Sequence, residues 1–399
     1  MIGLLGMFVM LGIAWALSTN RRAIRWRTVV AGTGLQIVFA LLILRTPWGR
    51  YVFEQATDAV TAFLDFTDAG SAFIFGEGFT EHYFAFKVLP TIIFFSSFIT
   101  ILYHLGLIQW IVKGFAKVMM WAMGTSGAES LSASGNIFVG QTEAPLLIRP
   151  YVDTMTMSEL MAVMTGGFAT IAGGVLAAYV GMGVPAGHLI AASVMSAPAA
   201  LVMAKIMFPE TEESLTAGDV KVDVERPWAN VIDAAAEGAG SGLKLALNVG
   251  AMLLAFVALI AMVNAVLGAV GGWFGYEALS LELILGFVLR PLAWVMGVPW
   301  EEADQVGALL GIKTVVNEFV GYIRMEEMVG EGALSARSQV IATYALCGFS
   351  NFSSIAIQIG GIGSIAPERK QDLARLGLRA MVAGSLACFQ TATIAGLLL

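Results

Sequence analysis

Read from its N-terminus, the chain sets long, unbroken apolar runs between short polar or charged joints. The runs fall at residues 2–17, 29–44, 88–107, 161–180, 189–207, 245–270, 340–359 and 376–398. They are continuous and not alternating, so the spanning form they predict is a helix and not a barrel strand. A hydrocarbon core about 30 Å thick takes about 20 helical residues, so the pattern predicts eight spans, the first two rather short.

Two further stretches are apolar but impure. Residues 121–148 and 299–329 are interrupted by small residues and charges, which predicts a re-entrant helical hairpin in each. Irregular backbone is tolerated at membrane depth only where it lines a cavity or is covered by protein. Residues 235–244 and 281–298 read as interfacial helices, with Arg290, Trp294 and Trp300 at headgroup level. Residues 210–226 read as an aqueous loop, with Glu210, Glu212 and Glu213 in solvent.

Composition sharpens the picture only in places. The chain is 58% hydrophobic and 13% charged, with a mean hydropathy of +0.80, which excludes an ordinary soluble domain. A net charge of −7 argues against a nucleic-acid partner. Cys347 and Cys388 both lie in apolar runs, so no disulfide framework is expected, and the three histidines have no metal-ligand spacing. The arginines follow the first apolar run rather than precede it, which predicts a retained span and not a cleaved signal. With Arg21, Arg22, Arg25 and Arg27 on the cytoplasmic side, most basic residues fall inside. Lys313 is among the minority placed outside. Both termini are then outside the cytoplasm.

The chemistry sits where the pattern breaks. Gly140-Gln141-Thr142-Glu143-Ala144-Pro145 places a carboxylate, an amide and a hydroxyl inside the first hairpin, and Asn317-Glu318 does the same in the second. A charge at bilayer depth costs roughly 2.5–3.5 kcal/mol on insertion scales, so such groups face a cavity and a task. Each hairpin precedes a span broken in its middle, at Gly167-Phe168-Ala169-Thr170 and at Gly348-Phe349-Ser350-Asn351. On the topology above the two copies are inverted, a design of secondary transporters. An intramembrane enzyme could use two carboxylates as acid and base, but no nucleophile–base pair, metal site or cofactor loop accompanies them. A passive channel would need a filter and a pore lining.

Three motifs carry a family resemblance. Gly140-Gln141-Thr142-Glu143-Ala144-Pro145-Leu146-Leu147-Ile148-Arg149-Pro150-Tyr151, Asn317-Glu318-Phe319-Val320-Gly321-Tyr322 and Cys347-Gly348-Phe349-Ser350-Asn351-Phe352-Ser353-Ser354-Ile355 resemble the signatures of the concentrative nucleoside transporters, in order along nearly the whole chain. The resemblance implies an all-α polytopic membrane protein with eight spans, two opposed hairpins and inverted repeats, assembled as a homotrimer in the lipid bilayer. It implies a mobile transport domain, residues 121–208 and 299–399, moving against a scaffold made of residues 1–120 in part and 209–298. Gly140, Gln141, Thr142 and Glu143 would read the nucleobase, with Val175 against its ring. Glu318, Asn351 and Ser354 would hold the ribose, with Phe349 as an apolar wall.

The coupling ion implied is Na⁺, held by the side chains of Asn136 and Thr170 and the backbone carbonyls of Val139 and Ile171, with no organic cofactor. Proton coupling through Glu143 or Glu318 is the alternative. The resulting expectation is nucleoside import, of uridine or adenosine for example, by sodium symport in an elevator-type cycle. A bacterial inner membrane is expected from the compact length.

Overall fold

The computed structural model describes residues 2–216, 228–276 and 278–399, and among these it is helical with no strand. The helices are α1 (Ile2–Ala16), α2 (Trp26–Leu44), α3 (Pro47–Phe75), α4 (Leu89–Leu105), α5 (Leu107–Met123), α6 (Gly127–Gly135), α7 (Met157–Ala169) and α8 (Gly173–Gly181). They continue as α9 (Ala186–Met207), α10 (Val231–Gly272), α11 (Leu281–Val295), α12 (Ala303–Val315), α13 (Glu318–Gly330), α14 (Ala336–Leu346), α15 (Phe352–Ile365) and α16 (Lys370–Leu398). Among the described residues, six helical stretches are long and apolar enough to cross a bilayer, including Phe84–Leu105, which contains α4, and Met157–Gly181, which joins α7 and α8. With the shorter apolar helices Ile2–Ala16 and Phe352–Ile365 they fall on the eight expected runs.

Burial divides these helices into two populations. The most apolar window of α9 is 89% buried and that of α16 is 83% buried, against 6% for α10. A helix apolar all round yet exposed has lipid or another membrane-embedded chain as its solvent. The one close face of α10 is made of small residues. A Cβ on Gly242 would lie 2.8 Å from Ile93 Cα, and one on Gly238 2.8 Å from Ser97 Cα. The backbones of α4 and α10 approach through this small-xxx-small stripe.

The stripe also corrects one expectation. Residues 235–244 form no separate interfacial helix; they are the first turns of the 42-residue α10, about 63 Å long at 1.5 Å per residue. Nothing between Lys244 and Leu245 can stop a helix. A second correction concerns the first hairpin, whose arm begins at Ser126 and not at Trp121. Residues through Met123 finish α5, Gly124 turns the chain at φ +67°, and Ser126 and Glu129 close a reciprocal capping box that starts α6. The 29-residue α3 was not foreseen. Its apolar side chains form a stripe rather than a solid run, and Thr46 caps it by accepting from the Gly49 amide at 2.9 Å.

Charged groups near the bundle ends are also drawn in. Lys205 Nζ lies 2.6 Å from Glu129 Oε2 and donates to Ser158 Oγ at 2.9 Å. Glu210 is not solvated: its Oε2 accepts from Thr156 Oγ1 at 2.8 Å. Glu212 and Glu213 are exposed, as expected, and the part of the loop at 217–226, with Lys221 and Arg226, lies outside the described residues. Cys347 and Cys388 are free and buried, as expected.

Both predicted mid-span breaks are present, after Ala169 and after Leu346. They meet. The Phe349 amide donates to the Thr170 carbonyl at 3.2 Å. A Cβ on Gly348 would lie 2.8 Å from the Phe168 carbonyl oxygen and 2.6 Å from Cys388 Sγ, so only glycine lets the two broken spans and α16 cross there.

Candidate functional site

The site is assembled by helix caps. Asn317 begins α13, its Oδ1 accepting from the Val320 amide at 3.0 Å. That leaves Glu318 as the first helical residue, its carboxylate in the positive field of the α13 N-terminus. Asn351 begins α15 in the same way, its Oδ1 accepting from the Ser354 amide at 2.9 Å. Because the cap holds the oxygen, the Asn351 amide nitrogen points away from α15, and it donates to Glu318 Oε2 at 3.0 Å. Tyr179 of α8 donates to the other oxygen, Oε1, at 2.8 Å. The Glu318 carboxylate, 4% exposed, is thus held from two further elements.

The tip of the first hairpin reaches the same place. Gln141 Nε2 donates to Ser354 Oγ at 3.3 Å. Its carbonyl Oε1 accepts from Gln358 Nε2 at 3.1 Å, and the same nitrogen donates to the Met164 carbonyl at 3.1 Å. Gln358 therefore fixes which end of the Gln141 amide faces Ser354. The approach is close. A Cβ on Gly167 would lie 2.8 Å from Gln141 Cβ, and one on Gly361 2.6 Å from Thr142 Cγ2. Hence Gln141, Ser354, Asn351 and Glu318 form one polar run across three elements, with Val175 buried and Phe349 half-buried nearby. Glu143 behaves differently from Glu318. It is exposed, as is the end of its hairpin at Arg149, while Gly140 is buried.

Asn136 ends α6 and is fully buried. Its Nδ2 donates to the Ser132 carbonyl at 3.1 Å, and its Oδ1 has no hydrogen-bond partner. Thr170, also buried, donates through Oγ1 to the Gly166 carbonyl at 2.9 Å. A Cβ on Gly166 would lie 3.1 Å from Asn136 Nδ2, so Asn136 and Thr170 flank one glycine, between the hairpin tip and the break. Val139 and Ile171 are buried beside them. A buried acceptor without a donor is costly, and a hard cation would satisfy it.

Residues matter here that the sequence reading passed over. Tyr179 follows Val175 by one helical turn and Gln358 follows Ser354 by one turn, so each shares a face with a predicted site residue. A lone glutamine in the apolar run 340–359 was the available signal for Gln358. Lys313 is expected on the outer side of the membrane, and its burial there gave no signal in the sequence. It is fully buried, Nζ donating to the Ala345 carbonyl at 2.7 Å.

Known proteins resemble this chain in sequence and fold. Residues 188–396 match the model of the Na⁺ dependent nucleoside transporter C-terminus and residues 5–78 that of its N-terminus. Residues 85–186 match a gate described as nucleoside recognition. The chain belongs to the Na⁺-dependent nucleoside transporter family. A Haemophilus influenzae protein described as an uncharacterized transporter is 50% identical, over 99% of this chain and 96% of its own. The Homo sapiens solute carrier family 28 member 3 is 46% identical, over 98% of this chain and 59% of that protein. The Rattus norvegicus sodium/nucleoside cotransporter 1 is 45% identical, over 100% and 64%. The chain thus spans about three fifths of the length of these mammalian relatives.

The structure of CNTnw in an inward-facing substrate-bound state superposes with a TM-score of 0.94, at 48% identity over 100% of this chain and 97% of that one. A doubly substituted CNTnw in an outward-facing state gives 0.95, at 48% identity over the same shares. The family resemblance and the all-α fold class are therefore borne out. The protein is an integral membrane protein of a transporter family, not an enzyme family.

Proposed function

We propose that this protein imports nucleosides by sodium symport. The observation that carries the reading is the polar run Gln141–Ser354, Asn351–Glu318, in which a hairpin tip, a broken span and a second hairpin converge. A nucleoside has two polar ends, and the run has two matching parts. Glu318 is an acceptor for the vicinal hydroxyls of a ribose, with Asn351 and Ser354 adding hydrogen bonds. Gln141 and Thr142 face the base from the hairpin, Gly140 allows close approach, and exposed Glu143 reaches it directly or through water. Val175 and Phe349 supply apolar contact to the rings. Substrate would enter where Tyr179 and Asn351 now occupy the carboxylate.

Sodium fits the unpaired Oδ1 of Asn136, with Thr170 Oγ1 and the carbonyls of Val139 and Ile171 as the remaining donors. Its charge would join the hairpin tip to the broken span α7–α8 and so raise affinity for the nucleoside. By linkage, the nucleoside raises sodium affinity by the same factor. The helices α6 to α9 and α12 to α16 form the moving part, in the blocks 121–208 and 299–399. The exposed α10 with α4 belongs to the scaffold, in the blocks 1–120 and 209–298. The structures of CNTnw and its variants in inward-facing, outward-facing and intermediate states support an elevator-type cycle. The exposed apolar surface of α10 supports a homotrimer, and the basic first loop supports termini outside the cytoplasm of a bacterial inner membrane.

The test is radiolabelled uridine uptake into proteoliposomes under an inward Na⁺ gradient, an inward H⁺ gradient, or neither, repeated with adenosine. Accumulation driven by Na⁺ alone is expected. Accumulation driven only by H⁺ would remove the Asn136/Thr170 ion site and leave the nucleoside site standing. No accumulation of any nucleoside would end the reading.

A further inference from the structure

In both halves of the chain the first arm of the hairpin packs against the last turn before a break. In the first half that contact belongs to Asn136 at the end of α6, against Gly166 of α7. In the second half it belongs to Lys313 near the end of α12, against Ala345 of α14. The two differ in charge. Asn136 is neutral and leaves a buried oxygen unpaired, whereas Lys313 brings an ammonium of its own.

The surroundings of Lys313 are built for that ammonium. Nζ donates to the Ala345 carbonyl at 2.7 Å, one residue before α14 ends at Leu346. The last carbonyls of a helix lack partners and carry the negative end of its dipole, so this is a place where a cation is favoured. The ring of Phe389 lies 5.8 Å from Nζ and presents its negative face. Glu318, the carboxylate of the nucleoside site, is five residues on, across the hairpin tip. Packing alone does not explain a fully buried lysine, since leucine or methionine would fill the volume without desolvating a charge.

We propose that the Lys313 ammonium is a tethered cation. It takes, in the second repeat, the place that the exchangeable sodium takes in the first. The second hairpin is thereby locked to its broken span at all times, and only the first depends on an ion from solution. One sodium then moves with each nucleoside. The inference rests on the sodium reading of Asn136 and Thr170 above.

The test begins with the intact protein in proteoliposomes, measuring labelled sodium and labelled uridine entry side by side. One sodium per uridine is expected. Two would overturn the inference while leaving the symporter intact, and no sodium-coupled uptake would overturn both. Lys313→Met then removes the charge and keeps the bulk. Its thermal unfolding midpoint should fall by only a few degrees, because methionine keeps the bulk and removes a buried charge while the Ala345 carbonyl loses its donor. Its uridine uptake should fall about tenfold or more, and Lys313→Arg should restore most of it. A stable Lys313→Met protein with parental uptake would reduce Lys313 to a packing residue. If that variant fails to fold, the flux ratio of the intact protein decides alone.

Discussion

The two hairpin-and-break units share one plan and carry opposite arrangements of charge. In the first, the carboxylate Glu143 is exposed and the group against the broken span, Asn136, is a neutral amide with a free oxygen. In the second, the carboxylate Glu318 is buried and held by Tyr179 and Asn351, and the group against the broken span is an ammonium. The first unit leaves the Asn136 oxygen unpaired, which is where the proposed sodium would bind. In the second, the Glu318 carboxylate and the Lys313 ammonium both find partners within the protein. On the proposed reading, a repeat keeps its backbone geometry while one copy becomes the regulated half and the other the fixed half.

The sharpest way to break this contrast is at the fixed half. Glu318→Gln keeps shape and removes the charge that the ribose hydroxyls need. Uridine uptake should fall on the order of 100-fold or more, since sites built around a hydroxyl hydrogen bond discriminate steeply. Near-parental uptake would show that the buried carboxylate is structural. Next comes the incomplete half. Asn136→Leu removes the unpaired oxygen and should raise the sodium concentration for half-maximal uptake about tenfold. An unchanged sodium dependence would place the ion elsewhere.

Tyr179→Phe deletes one hydrogen bond to an ionised group, worth roughly 1.5–3 kcal/mol when buried. Because substrate hydroxyls can replace the lost donor, a rise of only a few-fold in the KM for uridine is expected. A drop in maximal rate with KM unchanged would mean that Tyr179 serves the conformational step instead. The smallest effect belongs to Glu143→Gln. An exposed carboxylate is hydrated, and exposed charged pairs are worth about 1 kcal/mol or less. This substitution should shift the uridine-to-adenosine uptake ratio a few-fold without abolishing transport. Total loss would show that Glu143 becomes enclosed during the cycle.

Much of the candidate site was legible because polar residues are conspicuous against hydrocarbon. Gln141, Glu143, Asn317 and Glu318 announced themselves by the cost of burying them, and glycine-polar clusters marked both breaks. Tyr179 and Lys313 stayed hidden for a physical reason: each has a long apolar body, and its polar tip has meaning only once the partner is known. Gln358 looked like one more polar residue in a helix until folding brought it to Gln141, 217 positions away in sequence. The striped helix α3 was missed because its apolar positions form one face, which no search for solid runs detects.

The sequence by itself determined the solvent of this protein, the number of its long apolar segments and the points at which they break. Those are local properties, set by side-chain transfer energies and helix-breaking residues. Only the tertiary structure decided that the two breaks cross at Gly348 against Phe168, and that Asn351 and Tyr179 share one carboxylate. It alone decided that the Lys313 ammonium is paired and the Asn136 oxygen is not. Whether a buried polar atom is partnered depends on groups scores of residues away, and no local pattern records that distance.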